Sequence, residues 1–304
     1  MPHSPLSDAP ADDLHECATP AEALARLKAL YAEALATVEQ RFADFGAGAL
    51  AKGAAGAPTY PYLCAEVPAE QASQTSNLAL GRISELSIYG ATITRPAMFE
   101  AYLLEQLERV MARFSAKIHV GRSRTPIPLS FALEQATASL QPDQRAGLQF
   151  HFHTPNLVAT NDDIVDGQII LERGGPLPLS LFTAERVDYS LHRIQHYTAT
   201  RPENFQQFIL FTNYQRYVDE FVQYAGEVVE AGKAEALIEP GNRITVKGKA
   251  PSVPPLAKMP QMPAYHLVQP DGQGLTLINI GVGPSNAKTI TDHVAVLRPH
   301  VWLM

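Results

Sequence analysis

The sequence predicts an α+β domain followed by the first part of an α/β domain, and three observations carry that expectation. Up to about residue 200, amphipathic helical segments are interspersed with short runs rich in β-branched and aromatic residues. From Arg201-Pro202-Glu203 onward the rhythm becomes strand, turn, helix, the order that builds a mostly parallel sheet with crossover helices. A length of 304 residues leaves room for roughly two domains of about 150 residues each.

Residues 1–19 read as a flexible acidic tail. A helix is expected from Pro20 to about Phe45, because Leu24, Leu27, Leu30, Leu35 and Val38 recur near helical spacing. Thr19, Pro20 and Glu22 supply its cap, a first-turn proline and early negative charge. Gly46 to Pro58 is low in complexity and reads as a loop. Tyr60–Val67 and Leu78–Thr94 are strand-like. Pro96 opens a helix over Ala97–Phe114, with Phe99, Leu103, Leu107 and Val110 on one stripe. Lys117–Val120, Gln149–His153 and Gln168–Leu171 read as strands and Leu129–Leu140 as a helix.

In the second part, Phe205–Phe211 reads as a buried strand, Thr212–Tyr214 as a turn and Gln215–Glu230 as a helix. Arg243–Lys247, Tyr265–Val268 and Leu275–Ile280 are further strands. The prolines between Pro251 and Pro263 exclude a helix there. Gly281 to Asn286 opens a helix over Ala287–Leu297, before a last strand at Val301–Met304. So few strands should leave an apolar sheet edge open.

Composition narrows the function classes. Hydrophobic residues make up 46% and charged residues 18%, which is globular rather than disordered. A net charge of −7 argues against a nucleic-acid binder, so any bound anion must be held by local arginines and backbone N–H groups. Two cysteines, Cys17 and Cys64, are too few for a disulfide framework and fit a reduced, cytoplasmic setting. No apolar run approaches the ~20 residues of a membrane span, and the N-terminus lacks the basic-then-apolar order of a signal peptide.

Chemistry concentrates at two strand-to-helix turns. The first is Thr212-Asn213-Tyr214-Gln215-Arg216, the second Gly281-Val282-Gly283-Pro284-Ser285-Asn286. Helix N-termini offer unpaired N–H groups to anions, and ligands of open α/β sheets sit at strand carboxyl ends. Gly281 and Gly283 would let the backbone approach a phosphate or ribose, with Ser285 and Asn286 as hydroxyl and amide partners and Arg216 as a charged fork. Equally, the glycines could simply form a tight turn; no Walker lysine follows them. His151 and His153 could pair on a metal with Asp162, Asp163 or Asp166, or belong to a solvated turn. Arg122 and Arg124 flank Ser123 as a candidate regulatory anion site, or form a solvated basic loop. His192 and His196 would share a helix face, against a ligand or against the core.

With these residues in hand, the chain resembles the bacterial AMP nucleosidases from its first helix onward. The resemblance rests on His196-Tyr-Thr-Ala-Thr200, on Phe211-Thr-Asn-Tyr-Gln-Arg-Tyr-Val-Asp-Glu-Phe221 and on Asn279-Ile-Gly-Val-Gly-Pro-Ser-Asn-Ala-Lys288. Ala199 stands where that family usually has glycine. The resemblance implies a regulatory domain over residues 20–200 and a partial nucleoside-phosphorylase-like catalytic domain over 201–304. It implies hydrolysis of AMP to adenine and ribose 5-phosphate, with no cofactor for the chemistry. ATP with magnesium is implied as allosteric activator, phosphate as inhibitor, and a homohexamer as the assembly. Thr212, Asn213, Tyr214 and Arg216 become candidate phosphate or ribose contacts, and Gly281, Gly283 and Ser285 match the second turn of the ribosyl site.

The resemblance also places the adenine pocket and the catalytic acid beyond Met304, so the chain is expected to be a truncated enzyme holding part of the substrate anchor. A stand-alone nucleotide- or phosphate-binding regulatory protein is the rival expectation, and a His-Phe-His metal hydrolase a third.

Overall fold

The computed structural model describes residues 9–49, 57–68, 76–77, 82–83, 87–133, 140–168 and 175–304. The chain divides into two compact units, Met1–Asp188 and Tyr189–Met304. In chain order the first contains β1 (Ala11–Cys17), α1 (Pro20–Gly46), β2 (Thr59–Val67), β3 (Ser76–Asn77), β4 (Arg82–Ile83), β5 (Ser87–Thr92), α2 (Glu100–Phe114), β6 (Lys117–Pro126), the short helices α3 (Leu129–Ala132) and α4 (Pro142–Gly147), and β7 (Leu177–Pro178). The boundary falls inside α5 (Ala184–Thr198), earlier than the change of rhythm at Arg201. The second unit continues with β8 (Phe208–Thr212), α6 (Gln215–Glu230), β9 (Ala236–Glu239), β10 (Arg243–Thr245), β11 (Ala264–Val268), β12 (Leu275–Asn279), α7 (Pro284–Val294) and β13 (Val301–Leu303). No helix among the described residues is long and apolar enough to cross a membrane.

The first unit is built on a five-stranded sheet of order β1-β6-β2-β5-β7, with β3 and β4 as a separate pair. Helix α1 starts as its cap chemistry requires: Thr19 Oγ1 accepts from Glu22 N at 3.1 Å, and Glu22 reaches back to Ala18 N at 2.8 Å. Its buried stripe, including Leu24, Leu27, Leu30 and Val38, packs on β2 and β6. Helix α2 buries Leu103, Leu107, Val110 and Phe114, and packs against α1. Each fully buried leucine contributes about 2 kcal/mol of transfer free energy.

Several expectations are corrected here. Residues 11–17 are not tail: they form β1, antiparallel to β6. A bulge between Asp12 and His15 shifts the register, so the less exposed residues are Ala11, Leu14 and Cys17, every third position rather than every second. Gln149–His153 is not a strand; its first two residues lie in a helical turn over 148–150 and the others in the turn and loop that follow. Phe152 packs at 6.1 and 5.7 Å from Phe42 and Phe45, and His151 at 5.2 Å from Phe45. Positions 169–171 of one expected strand, 134–139 of one expected helix, and 78–81 and 84–86 of the long expected strand lie outside the described residues.

Asp188 sits fully buried in a polar knot. Tyr60 Oη donates to its Oδ2 at 2.8 Å, Thr94 Oγ1 donates to the carboxylate at 2.9 Å, and Arg95 Nε lies 3.5 Å from Oδ1. Burial raises its pKa from 3.8 to about 6, with Arg95 and the two hydroxyl donors opposing. The same burial, with Asp188 beside it, pushes Tyr31 up to about 12.

The second unit carries a six-stranded sheet of order β10-β9-β11-β12-β8-β13. Only β12–β8 and β8–β13 pair in parallel; β10–β9, β9–β11 and β11–β12 are antiparallel, so the sheet is mixed rather than mostly parallel. Strand β9 went unpredicted because four residues, Ala-Leu-Ile-Glu, show no resolvable period. Alternation separates two faces. Leu210, Tyr265 and Leu277 meet Val218, Phe221 and Val222 of α6. On the other face, His266 bridges Thr276 Oγ1 at 2.9 Å and Thr200 Oγ1, just beyond α5, at 3.0 Å. Burial lowers its pKa to about 3, so it is neutral, donating from one ring nitrogen and accepting at the other. Helix α7 packs on α5, where His293 Nδ1 lies 3.2 Å from Ser190 Oγ and its ring stacks on Tyr197.

Two predictions follow from these cores. Because the folded pKa of Asp188 is raised, its contribution to stability is fully present below about pH 4 and is lost as pH rises through about 6, by about 3 kcal/mol. Urea unfolding between pH 4 and 7 should show this component in the native chain and lack it in Asp188→Asn. Ala199 has φ +53 at the end of α5, a left-handed conformation that disfavours a Cβ, and its carbonyl accepts from Gly241 N at 2.7 Å. Ala199→Gly should therefore raise the unfolding free energy by about 0.5–1 kcal/mol, read from the urea midpoint at constant slope.

Candidate functional site

Two parallel strands end level in the second unit. Asn279 of β12 lies opposite Thr212 of β8, and one further bond, Ile280 N to Thr212 O at 2.8 Å, extends the pairing past the end of β12. Each strand then turns directly into a helix. Strand β8 continues through α6 toward β9, whereas β12 continues through α7 across β8 to β13. Right-handed crossovers in opposite directions along the sheet put α6 and α7 on opposite faces, and these strand ends then form the switch point at which open sheets leave a crevice.

The first turn is tightened by Thr212 Oγ1, which accepts from Tyr214 N at 3.2 Å. The second depends on glycine. Gly281 has φ +62, and Gly283 has φ +110 with ψ 148, a combination open to almost no other residue. Tyr214 and Gly283 are the N-caps of α6 and α7, and neither helix start has a side-chain cap bond. Both therefore direct first-turn N–H groups toward the same opening.

A cavity of about 700 Å³ lies there. Thr212, Asn213 and Tyr214 line it from the first turn, Gly281 and Gly283 from the second. The structure thus brings together five of the eight residues singled out at these turns, with Asn286 outside the wall. Arg216 and Ser285 are exposed and outside the wall. Each residue advances a helix by about 100°, so Arg216 is turned away while Tyr217, one turn beyond Tyr214, faces the cavity. Tyr217 was missed in the sequence although its spacing of three from Tyr214 was the available signal. The two rings meet edge-on at 5.7 Å. Leu210, Leu277, Ile280 and Leu303 add an apolar wall, and no Asp, Glu, His, Lys or Arg side chain lines the cavity among the described residues.

The remaining candidates have structural partners. Arg122 bonds Glu33 at 2.8 Å and Asp13 at 3.2 Å, and Arg124 lies 3.5 Å from Asp12. An anion at this pair would have to displace carboxylates. Asp162 accepts from Nε of the buried Arg186 at 2.9 Å, which assigns it to fastening its loop onto α5. Among the described residues no group of three or more His, Cys, Asp or Glu is placed to hold a metal ion. His196 is exposed on α5, with its ring 5.3 Å from that of Tyr197. Burial raises the thiol pKa of both Cys17 and Cys64, the latter to about 12.

Comparison with known proteins assigns the chain to a family through its first unit. The model described as "Bacterial AMP nucleoside phosphorylase N-terminus" covers residues 22–176. The AMP nucleosidases of Escherichia coli K12 and of Escherichia coli O157:H7 are each 42% identical over 296 residues, which is 94% of this chain and 61% of theirs. The chain thus spans less than two thirds of the length of these curated relatives. A crystal structure of AMP nucleosidase from Bacteroides thetaiotaomicron VPI-5482 aligns over 38% of this chain and 37% of its own, at 22% identity and a TM-score of 0.26, too low a likeness to bear on the fold. With half of its length under one family model, the chain belongs to the bacterial AMP nucleoside phosphorylase N-terminus family.

Proposed function

We propose that the protein hydrolyses the N-glycosidic bond of AMP to adenine and ribose 5-phosphate, and that this chain supplies the phosphate and ribose side of the site. The observation that carries this is the meeting of two uncapped helix starts at one cavity, at the ends of adjacent parallel strands. The extended identity to proteins named AMP nucleosidase supplies the substrate. Water adds at C1′ as the bond to the base breaks, and the base leaves with a proton. The oxocarbenium-like state between them gains from a firmly held phosphate and from a water on the opposite ribose face.

Within the wall, backbone N–H groups of the two turns would meet the anionic end, and the Tyr214–Tyr217 pair offers an aromatic flank. By the family resemblance, ATP with magnesium is proposed as activator, phosphate as inhibitor, residues 20–200 as the regulatory part and a homohexamer as the assembly. A second reading, nucleotide binding without turnover by these 304 residues, is favoured by a wall whose side chains, among the described residues, include no Asp, Glu or His.

Adenine release from AMP by the purified chain, with ATP and magnesium present, separates the two. A rate well above background assigns the proton donor to this chain; AMP bound in calorimetry without release supports the binding reading. Absence of AMP binding rejects both. Gly283→Ala should weaken AMP affinity about tenfold by forcing the second turn out of its glycine conformation, whereas Arg216→Ala should change it less than about twofold.

A further inference from the structure

The second turn contains one peptide unit held at both ends. Its N–H, that of Gly281, donates to Asn279 Oδ1 at 3.0 Å, and its carbonyl, that of Ile280, accepts from Asn286 Nδ2 at 2.9 Å. Each asparagine is itself oriented by a glutamine from elsewhere in the unit. Asn279 Nδ2 donates to Gln215 Oε1 at 3.2 Å, in the first turn of α6. Asn286 Oδ1 accepts from Gln261 Nε2 at 3.1 Å, on the proline-rich connection before β11. Gln215 Nε2 donates in turn to Asp219 Oδ1 at 2.9 Å. Every amide in this chain of bonds has its oxygen and nitrogen ends assigned by its neighbours, so the sense of the whole is fixed.

We propose that Asn279 and Asn286 are positioning residues that clamp the Ile280–Gly281 peptide, and that Gln215 and Gln261 set their orientation. The clamp rests on the proposed nucleotide site for its function. A peptide plane next to glycine flips readily, because neither sense meets a Cβ on that side. Here a flip would set the Ile280 carbonyl against Asn279 Oδ1 and the Gly281 N–H against Asn286 Nδ2, and would redirect the turn that leads to the following N–H groups. The clamp opposes that flip with an acceptor at one end and a donor at the other. It also commits the Gly281 N–H, so Gly281 shapes the turn while the anion is left to the N–H groups that follow. Gln215 joins the two turns, so α6 and the glycine turn keep their spacing around one ligand.

The two asparagines play opposite electronic parts, and this gives a test that loss of packing alone would not imitate. Asn279→Asp keeps the acceptor for Gly281 N–H. Asn286→Asp replaces the donor with a carboxylate facing the Ile280 carbonyl. Amide exchange at Gly281, followed by NMR on the 304-residue chain, reads the clamp directly, and calorimetry with AMP reads its effect on the site. Asn286→Asp should speed Gly281 exchange and weaken AMP about tenfold, while Asn279→Asp should leave Gly281 exchange within about twofold. Thermal midpoints of the two variants should agree. Gln261→Met, which adds no charge, should move exchange and affinity in the direction of Asn286→Asp by a smaller amount, and stands in for it if that variant fails to fold. Equal Gly281 exchange in the two aspartate variants, or unchanged Gly281 exchange in both Asn286→Asp and Gln261→Met, would overturn the clamp. If the native chain binds no AMP, the proposed site fails, and Gly281 exchange still decides on the clamp by itself.

Discussion

The parallel register between β8 and β12 is the constraint on which the candidate site depends. Thr212 opposite Asn279, with the Ile280–Thr212 bond one step beyond, makes two strands end at the same height. A slip of one residue would reverse which side chains face α6, removing Leu210 and Leu277 from its apolar stripe. It would also move one helix start away from the other by about 3.3 Å, more than a hydrogen bond tolerates. Core packing and site geometry are therefore one requirement in this sheet. The apolar alternation selects the register, and the register delivers two turns to one opening.

Buried polar groups do a related job elsewhere, and each binds segments far apart in the sequence. Asp188 gathers Tyr60, Thr94 and Arg95, three positions on and around the first sheet. His266 joins β12 to the segment that follows α5. These contacts add little net free energy relative to apolar packing, since desolvation cancels much of what the bonds supply. Their effect is selective: a misplaced strand would leave a charge or an imidazole without partners, a cost of several kcal/mol.

Legibility in the sequence followed the strength of local signals. Helix α6 occupies the span expected from its periodicity, and α1 starts at the cap that Thr19 and Glu22 announce. Gly281 and Gly283 were informative because positive φ is a local demand that a sequence writes explicitly. Arg216 was misleading because charge is visible in a sequence and helical rotation relative to a cavity is not. Strand β1 was hidden by its bulge, which turned a period of two into a period of three. His151 and His153 imitated strand alternation, while the rings at the end of α1 supplied the tertiary contacts that hold that segment as a turn. Ala199 shows the converse. Its left-handed backbone goes with the end of α5 and with the bond from Gly241, against the preference of its own side chain.

The two thiols have a consequence of a different kind. Cys17 closes β1 against β6 and Cys64 lies within β2, both buried with raised pKa, and the sequence has no other cysteine. The second unit is accordingly thiol-free. Alkylation of this protein is gated by separation of strands in the first sheet, so its labelling rate measures opening of that unit alone. Opening of the second unit leaves it unlabelled, and a single reagent thereby distinguishes which half of the chain has come apart.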